Sequence, residues 1–339
     1  MSSTQTKPLV VIFGATGETG QSIINGLLRT NAFRVAAVTR SLFKPAVAEL
    51  AAKGVALHKF DLLAAEQGRL DESAWQARLQ DILTGADTVI AVVHPSCIEV
   101  QRKIADAAKA VGVKRFVPND FGTSAPAGVQ GLHDRKLAIR EYIRQIGLGH
   151  TFIEVAWWMQ FAVIYPVHYT GIDSSMSRHV IGEGKTRFAV TDLFHIGDYV
   201  AHVIRDDRTL NQTVFIWEDE ITQQQAWELA VKKLGEDILK TKIERSDSRN
   251  TSQHPEADFL KALDAARAAG SEQIVQRYVH EYWYSMHIRG DNVVEKAKAL
   301  GALDFKELYP NVQTPSFKEF VKGVYASENP YVPHGDAYE

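Results

Sequence analysis

The chain has 339 residues, 45% of them hydrophobic and 23% charged, a balance that specifies a folded globular protein of one large or two modest domains. A formal net charge of −3 excludes a general attraction to nucleic acid or to an anionic membrane surface. Cys97 is the single cysteine, so no internal disulfide forms and a reducing compartment is expected.

Met1 to Lys7 is short and polar, without the apolar stretch of a secretion signal, and no run reaches the roughly 18 apolar residues of a membrane span. A cytoplasmic protein acting on a small molecule, as a monomer or homodimer, is the expectation. Leu9 to Phe13 predicts a short buried strand. It runs into Gly14-Ala15-Thr16-Gly17-Glu18-Thr19-Gly20, and Gln21 to Arg29 predicts a helix. A strand, a glycine turn and a helix N-terminus in that order make a dinucleotide cradle. Glycines let the backbone turn tightly and approach a pyrophosphate, while the N–H groups and dipole of the helix hold the anion. The spacing is G-x-x-G-x-x-G rather than G-x-G-x-x-G. Gly14, Thr16, Gly17, Glu18, Thr19 and Gly20 are the expected phosphate loop. A glycine turn that merely joins two elements is the alternative.

Arg34 to Val38 predicts a second strand, ending in Thr39-Arg40-Ser41. An NAD-specific fold would carry a carboxylate here, on the ribose 2′-hydroxyl. Arg40, with Lys44 close behind, instead offers cations suited to a 2′-phosphate, so NADP(H) is the expected cofactor. Two solvated side chains at a strand end are the alternative.

Val55 to Lys59 predicts a third strand, ending at Asp61, and Asp71 to Leu83 a helix. Thr88 to Val93 predicts a fourth strand, running into His94-Pro95, and Cys97 to Val111 a helix. Arg115 to Val117 is a fifth strand, followed by the loop Pro118-Asn119-Asp120-Phe121-Gly122. His133 to Gln145 predicts a helix and Thr151 to Val155 a sixth strand. This alternation predicts an α/β fold, a doubly wound parallel (Rossmann) sheet over residues 1–156. Ligands of such sheets bind outside the carboxyl ends of the strands. That rule adds Asp61, His94, Pro95, Asn119 and Phe121 to the expected cofactor site.

Beyond Ala156 the rhythm changes. Trp157, Trp158, Phe161, Tyr165 and Tyr169 fall close together and are the expected walls of a substrate pocket, a plain aromatic core being the alternative. A strand-like pair, His179 to Ile181 and Thr186 to Val190, is split by Gly182-Glu183-Gly184. Thr213 to Trp217 predicts a strand returning to the main sheet. Helices are predicted at Thr222–Leu234, Pro255–Ala268, Ser271–Ile288, Asn292–Ala299 and Ser316–Val324, with an irregular tail from Ser327. Residues 157–339 are thus expected to form mainly a smaller, mostly helical substrate domain interleaved with the sheet.

Several chemistries lack their residues. The 12 histidines include no H-E-x-x-H, and His280 and His287 stand seven apart, so no metal site is expected. No G-x-S-x-G elbow supports a serine hydrolase. Cys97, at the start of a predicted helix, reads as a small packed residue, although that position could also lower a thiol pKa. No tyrosine stands in a Tyr-x-x-x-Lys pair. Lys136, in His133-Asp134-Arg135-Lys136 on the helix after the Phe121-Gly122 loop, is the expected general acid or base. Placement near a helix N-terminus and burial both favour loss of its proton. Position alone leaves open a solvated lysine in a charged first turn.

At these residues the chain resembles the isoflavone reductase-like group of NmrA-like proteins, atypical short-chain dehydrogenases. Gly14 to Gly20 looks like the family's phosphate loop and Thr39-Arg40-Ser41 like its NADPH-selecting strand end. Ala107-Ala108-Lys109-Ala110-Val111-Gly112-Val113-Lys114-Arg115-Phe116-Val117-Pro118-Asn119-Asp120-Phe121-Gly122 is similar to its most recognisable segment. Lys136, followed by Arg140, Gly147 and Thr151, falls where the family carries a catalytic lysine. Gly182 to Val190, His195-Ile196-Gly197-Asp198 and Asn211 look like its C-terminal signature. The resemblance implies an oxidoreductase of secondary metabolism that reduces double bonds or benzylic ethers of phenolic compounds with NADPH. The chain departs from the family's Ser-Glu-Phe-Gly at Asn119-Asp120-Phe121-Gly122, and from its usual Asp at His195. An NADPH-dependent reductase of a small aromatic or conjugated metabolite is the leading expectation. A non-catalytic NADP(H) sensor is the alternative, which the Asn119 change favours and Lys136 opposes.

Overall fold

In the computed structural model, which describes residues 6–69, 71–165, 180–235, 253–269, 274–327 and 331, the five apolar residues Leu9–Phe13 form β1, four of them sealed from water. Such a run suits a strand covered on both faces. Helix α1 (Glu18–Thr30) begins three residues earlier than its apolar pattern suggests, because Gly17 is extended and takes the N-cap position. Strands β2 (Arg34–Thr39), β3 (Ala56–Lys59), β4 (Thr88–Ala91) and β5 (Arg115–Val117) complete a parallel sheet in the order β3-β2-β1-β4-β5. The winding direction therefore reverses between β1 and β4. In a doubly wound sheet that reversal opens a ligand crevice at the carboxyl ends.

Between the strands lie α2 (Pro45–Ala52), α3 (Leu62–Glu66), α4 (Glu72–Leu83) and α5 (Gln101–Ala110). The helix expected from Cys97 is interrupted. A 3₁₀ turn, Pro95–Cys97, comes first and α5 starts at Gln101. Helix α6 (Gly131–Gln145) precedes β6 (Thr151–Glu154), and the short α7 (Met159–Ala162) comes next among the helices. β6 continues the sheet through one parallel bridge, Phe116 to His150. The strand expected at Thr213–Trp217 is β10 (Gln212–Phe215), and it returns beside β6, the strand bridged to β5.

The chain folds as two compact units. Unit one comprises residues 1–121, 134–153 and 194–214, and unit two residues 122–133, 154–193 and 215–339. In unit one, α8 (Ile196–Val203) packs on α1. Their glycines touch: a β-carbon on Gly26 would meet the Gly197 carbonyl carbon at 2.1 Å, and one on Gly197 the Ser22 carbonyl oxygen at 1.9 Å. The Gly197 N–H donates to Ser22 Oγ at 3.1 Å. His195 is the N-cap residue of α8. Buried Arg115 donates to Thr209 Oγ1 at 2.8 Å and to the Asp206 carbonyl at 2.9 Å, satisfying the charge at the start of β5.

In unit two, β7 (Trp157–Trp158) pairs in parallel with β9 (Phe188–Thr191), which pairs antiparallel with β11 (Asp219–Ile221). β8 (Val180–Ile181) pairs with β12 (Gln253–His254) and not with β9, so the expected strand pair has its partners elsewhere. Helices α9 (Gln223–Leu234), α10 (Glu256–Ala268), α11 (Ile274–Trp283), α12 (Val294–Ala299) and α14 (Phe317–Ala326) match expected spans, the short α13 (Phe305–Leu308) lies between the last two, and Thr222 and Ser316 close capping boxes. The last helical turns beyond Trp283 wind as a π-helix, Tyr284–Arg289. Among the described residues no helix is long and apolar enough to cross a membrane, and no group of His, Cys, Asp and Glu could hold a metal ion.

Candidate functional site

The phosphate loop follows from backbone crowding. Gly14 has φ +74°, and a β-carbon there would lie 1.7 Å from the Val92 carbonyl oxygen. A β-carbon on Gly20 would meet the Gly14 carbonyl oxygen at 2.3 Å. Both positions thus exclude any side chain. Gly17 differs. Its φ is −74°, open to every residue, and a β-carbon would meet only the Gly14 carbonyl oxygen, at 3.4 Å. The Gly17 N–H donates to that carbonyl at 3.1 Å, closing the turn. Glu18, Thr19 and Gly20 form the first turn of α1, where backbone N–H groups have no acceptor within the helix. Gly17 is exposed and stands over this turn, with Thr16 before it; the Thr16 carbonyl accepts from Gln21 Nε2 at 2.8 Å.

Arg40 directly follows β2 and is exposed. Lys44, also exposed, is the N-cap residue of α2, with Pro45 in the first turn. Asp61 is the N-cap of α3 and accepts from the Ala64 N–H at 3.0 Å. His94 plays the same part for the 3₁₀ turn, its Nδ1 lying 3.2 Å from the Ser96 N–H. Cys97 is buried at the end of that turn, and burial pushes its thiol up from the ordinary value, which overturns the reactive-thiol alternative.

The loop after β5 is fixed on both sides. Asn119 Nδ2 donates to the Val93 carbonyl, and the Asn119 N–H donates to Gln101 Oε1 at 2.7 Å, from a glutamine wholly sealed from water. Asp120 Oδ2 accepts from Arg140 Nε at 2.9 Å, both side chains buried, and the guanidinium lies 5.2 Å from the Phe152 ring centre. Phe121 is buried next to them. Lys136 stands one helical turn before Arg140 on α6 and is only 7% exposed. Because α6 starts at Gly131, Lys136 lies in its second turn. The field of the helix dipole fades within the first turn and so acts only weakly on Lys136. The solvated-lysine alternative does not survive the burial.

In unit two Trp157, Trp158 and Phe161 come together, half-buried. Phe161 stacks on Trp158 at 5.1 Å and tilts against Trp157 at 5.4 Å. Tyr282, absent from the expected set, joins them 5.9 Å from Trp157. Tyr165 is sealed in the interior, its hydroxyl 3.4 Å from the Tyr331 carbonyl. Tyr169 and His179 lie outside the described residues. Ala156, with φ +58°, kinks the chain into β7, a turn for which a glycine would have been the sequence signal. Sequence reasoning missed Gln101, Arg140 as the partner of Asp120, and Tyr282. Their partners lie far along the chain, beyond any local pattern.

The sequence profile of the NmrA-like family matches residues 6–320. The chain is 32% identical to the asnovolin J 5′,6′-dehydrogenase of Aspergillus novofumigatus, over 93% of this chain and 94% of that protein. It is 26% identical to a bifunctional pinoresinol-lariciresinol reductase of Linum usitatissimum, over 69% and 74% of the two chains. Its fold matches that of the leucoanthocyanidin reductase–NADPH complex from Vitis vinifera, with a TM-score of 0.73 and 21% identity over 94% of this chain and 100% of the other.

Proposed function

The chain belongs to the NmrA-like family, and from that premise we propose that it is an NADPH-dependent reductase of a small aromatic or conjugated metabolite. The observation that carries this reading is the cradle after β1. Two glycines are locked by backbone contacts and a third stands open at the N-terminus of α1. These residues fit the diphosphate of a dinucleotide, whose anion the first-turn N–H groups and the dipole would hold. Arg40 would fork onto the 2′-phosphate, with Lys44 adding a second cation. The names of the relatives support a redox role, since they include a dehydrogenase and a lignan reductase.

A nicotinamide cofactor held there would bring the capacity for hydride transfer to an electron-poor carbon. Lys136 Nζ gives the balancing proton, directly or through one water, or holds the developing oxyanion. Asp120 and Arg140 hold the loop beside that helix. Asn119 is spent on the Val93 carbonyl, so the departure from the family's serine serves to fix the loop. Trp157, Trp158 and Phe161 offer flat faces to an aromatic substrate.

The test is direct. A panel of enones and phenolic ethers is screened by the loss of NADPH absorbance, and the corresponding saturated compounds by its gain with NADP⁺, because one relative is named a dehydrogenase. Lys136→Ala is expected to leave NADPH affinity within a few-fold and to lower turnover by roughly 10²–10⁴. A substrate reduced at the native rate by this variant removes the lysine from the chemistry. NADPH binding that changes association with another protein, with no substrate in either direction, moves the reading to the sensor.

A further inference from the structure

The geometry points to Arg135 as a positioning residue that couples the seating of the cofactor on the loop after β4 to the turn of α6 carrying Lys136. This inference rests on the cofactor and lysine assignments proposed above. The loop after β4 is confined from several directions. Val92 offers its carbonyl against Gly14 at the phosphate loop, and Val93 offers its carbonyl to Asn119. The next turn, Pro95–Cys97, is held by the bond from the Cys97 N–H to the His94 carbonyl at 2.8 Å, which leaves the Pro95 carbonyl directed elsewhere. Arg135 takes it. Its Nη1 donates to the Pro95 carbonyl at 3.2 Å, and its Nε to Glu99 Oε1 at 3.3 Å.

The forked guanidinium thus grips one backbone and one side-chain acceptor on the same short segment, a grip that a single ammonium cannot reproduce. Glu99 also meets Arg102 at 3.4 Å, and the Arg102 guanidinium lies 4.9 Å from the ring centre of Tyr142 on α6. The Tyr142 hydroxyl donates to Asp106 on α5. Residues 95–106 therefore meet α6 at two points, Arg135 and Tyr142, the first of them next to Lys136. Successive helical residues rise by about 1.5 Å, so Arg135 cannot be displaced without displacing the Lys136 backbone. A ligand lying on the carboxyl ends of β1 and β4 presses on the loop that Arg135 grips, and the guanidinium carries that constraint into α6.

Hydrogen–deuterium exchange of the full chain, with and without saturating NADP⁺, tests this. In the native protein NADP⁺ is expected to slow exchange severalfold at residues 96–101 and also at residues 134–138. In Arg135→Met the slowing persists at 96–101 and is lost at 134–138, while NADP⁺ affinity by calorimetry stays within a few-fold of native. Arg135→Lys keeps the charge without the fork and restores part of the coupling. Glu99→Gln leaves the Pro95 bond and retains most of it. Equal slowing at 134–138 in the native protein and in Arg135→Met overturns the inference. Should Arg135→Met fail to fold, Arg135→Lys decides, and slowing there at the full native level overturns it equally. NADP⁺ that binds but slows neither segment in the native protein refutes the cofactor assignment instead, and the coupling with it.

Discussion

Gly14, Gly17 and Gly20 repeat at one spacing but answer to different forces. Gly14 and Gly20 are required by the fold, since a β-carbon would strike backbone at 1.7 Å and 2.3 Å. Gly17 is required by the proposed ligand alone. Gly14→Ala is therefore expected to destabilise the protein by at least 1–3 kcal/mol in urea titrations, the usual scale of forced overpacking. Gly17→Val should keep the native melting temperature within a few degrees and abolish NADPH binding in calorimetry. Unimpaired binding by that variant would move the phosphate site elsewhere. At the end of β2, Arg40→Asp should reverse or abolish the preference for NADPH over NADH, a loss on the order of 1.5–3 kcal/mol for one charge-assisted contact. Equal native affinities for the two cofactors would sink the 2′-phosphate role. The motif could be read from the sequence because its glycines are local. Which glycine serves the fold and which the ligand could not, because the contact that closes Gly14 comes from Val92, just past β4, and the one that closes Gly20 exists only once the turn has folded the Gly14 carbonyl against it.

At the scale of elements, the strands were the most legible. β1 spans the residues its apolar run predicts, because a strand sealed on both faces has no polar residue to blur its limits, and β5 keeps its expected bounds with the buried Arg115 at its start. Helices of one or two turns, such as α2 and α3, have too few residues to show a period. Helix α8 was hidden by its own Gly197, a residue that weakens a helix on propensity yet lets α8 lie against α1. Gly197→Ala should consequently cost at least 1–3 kcal/mol despite its better helix propensity. The π-helix makes a different prediction. His287 is buried within it, edge-on to Phe188 at 4.9 Å, and desolvation pushes its pKa down from 6.5 to about 3. Below pH 6.5 the unfolded chain takes up a proton that the folded chain refuses. The stability contributed by the neutral ring is complete above that pH and drains away as the pH falls toward 3, by up to about 1.4 kcal/mol per pH unit. The urea midpoint of His287→Leu should fall less steeply than the native midpoint between pH 6.5 and pH 4.

At the scale of the molecule, both units are built from separated segments, and unit one takes its last helix from residues 194–214. A fragment ending at residue 156 lacks that helix and leaves the glycine face of α1 bare. It is expected to show no cooperative thermal transition by circular dichroism, and a sharp transition would show that α8 is dispensable. Saturating NADP⁺ should raise the melting temperature of the whole chain, by about 2.7 kcal/mol of added stability at a hundred times Kd. The same segmentation matters while the protein is being made. The stretch between residues 153 and 194 belongs to the other unit, and at ~5–20 residues per second its synthesis takes roughly 2–8 s. For that interval a nascent chain already carries β1 and α1 but not the surface that Gly26 awaits. Codons that slow translation across residues 154–193 should lower the yield of folded protein while leaving the finished molecule unchanged.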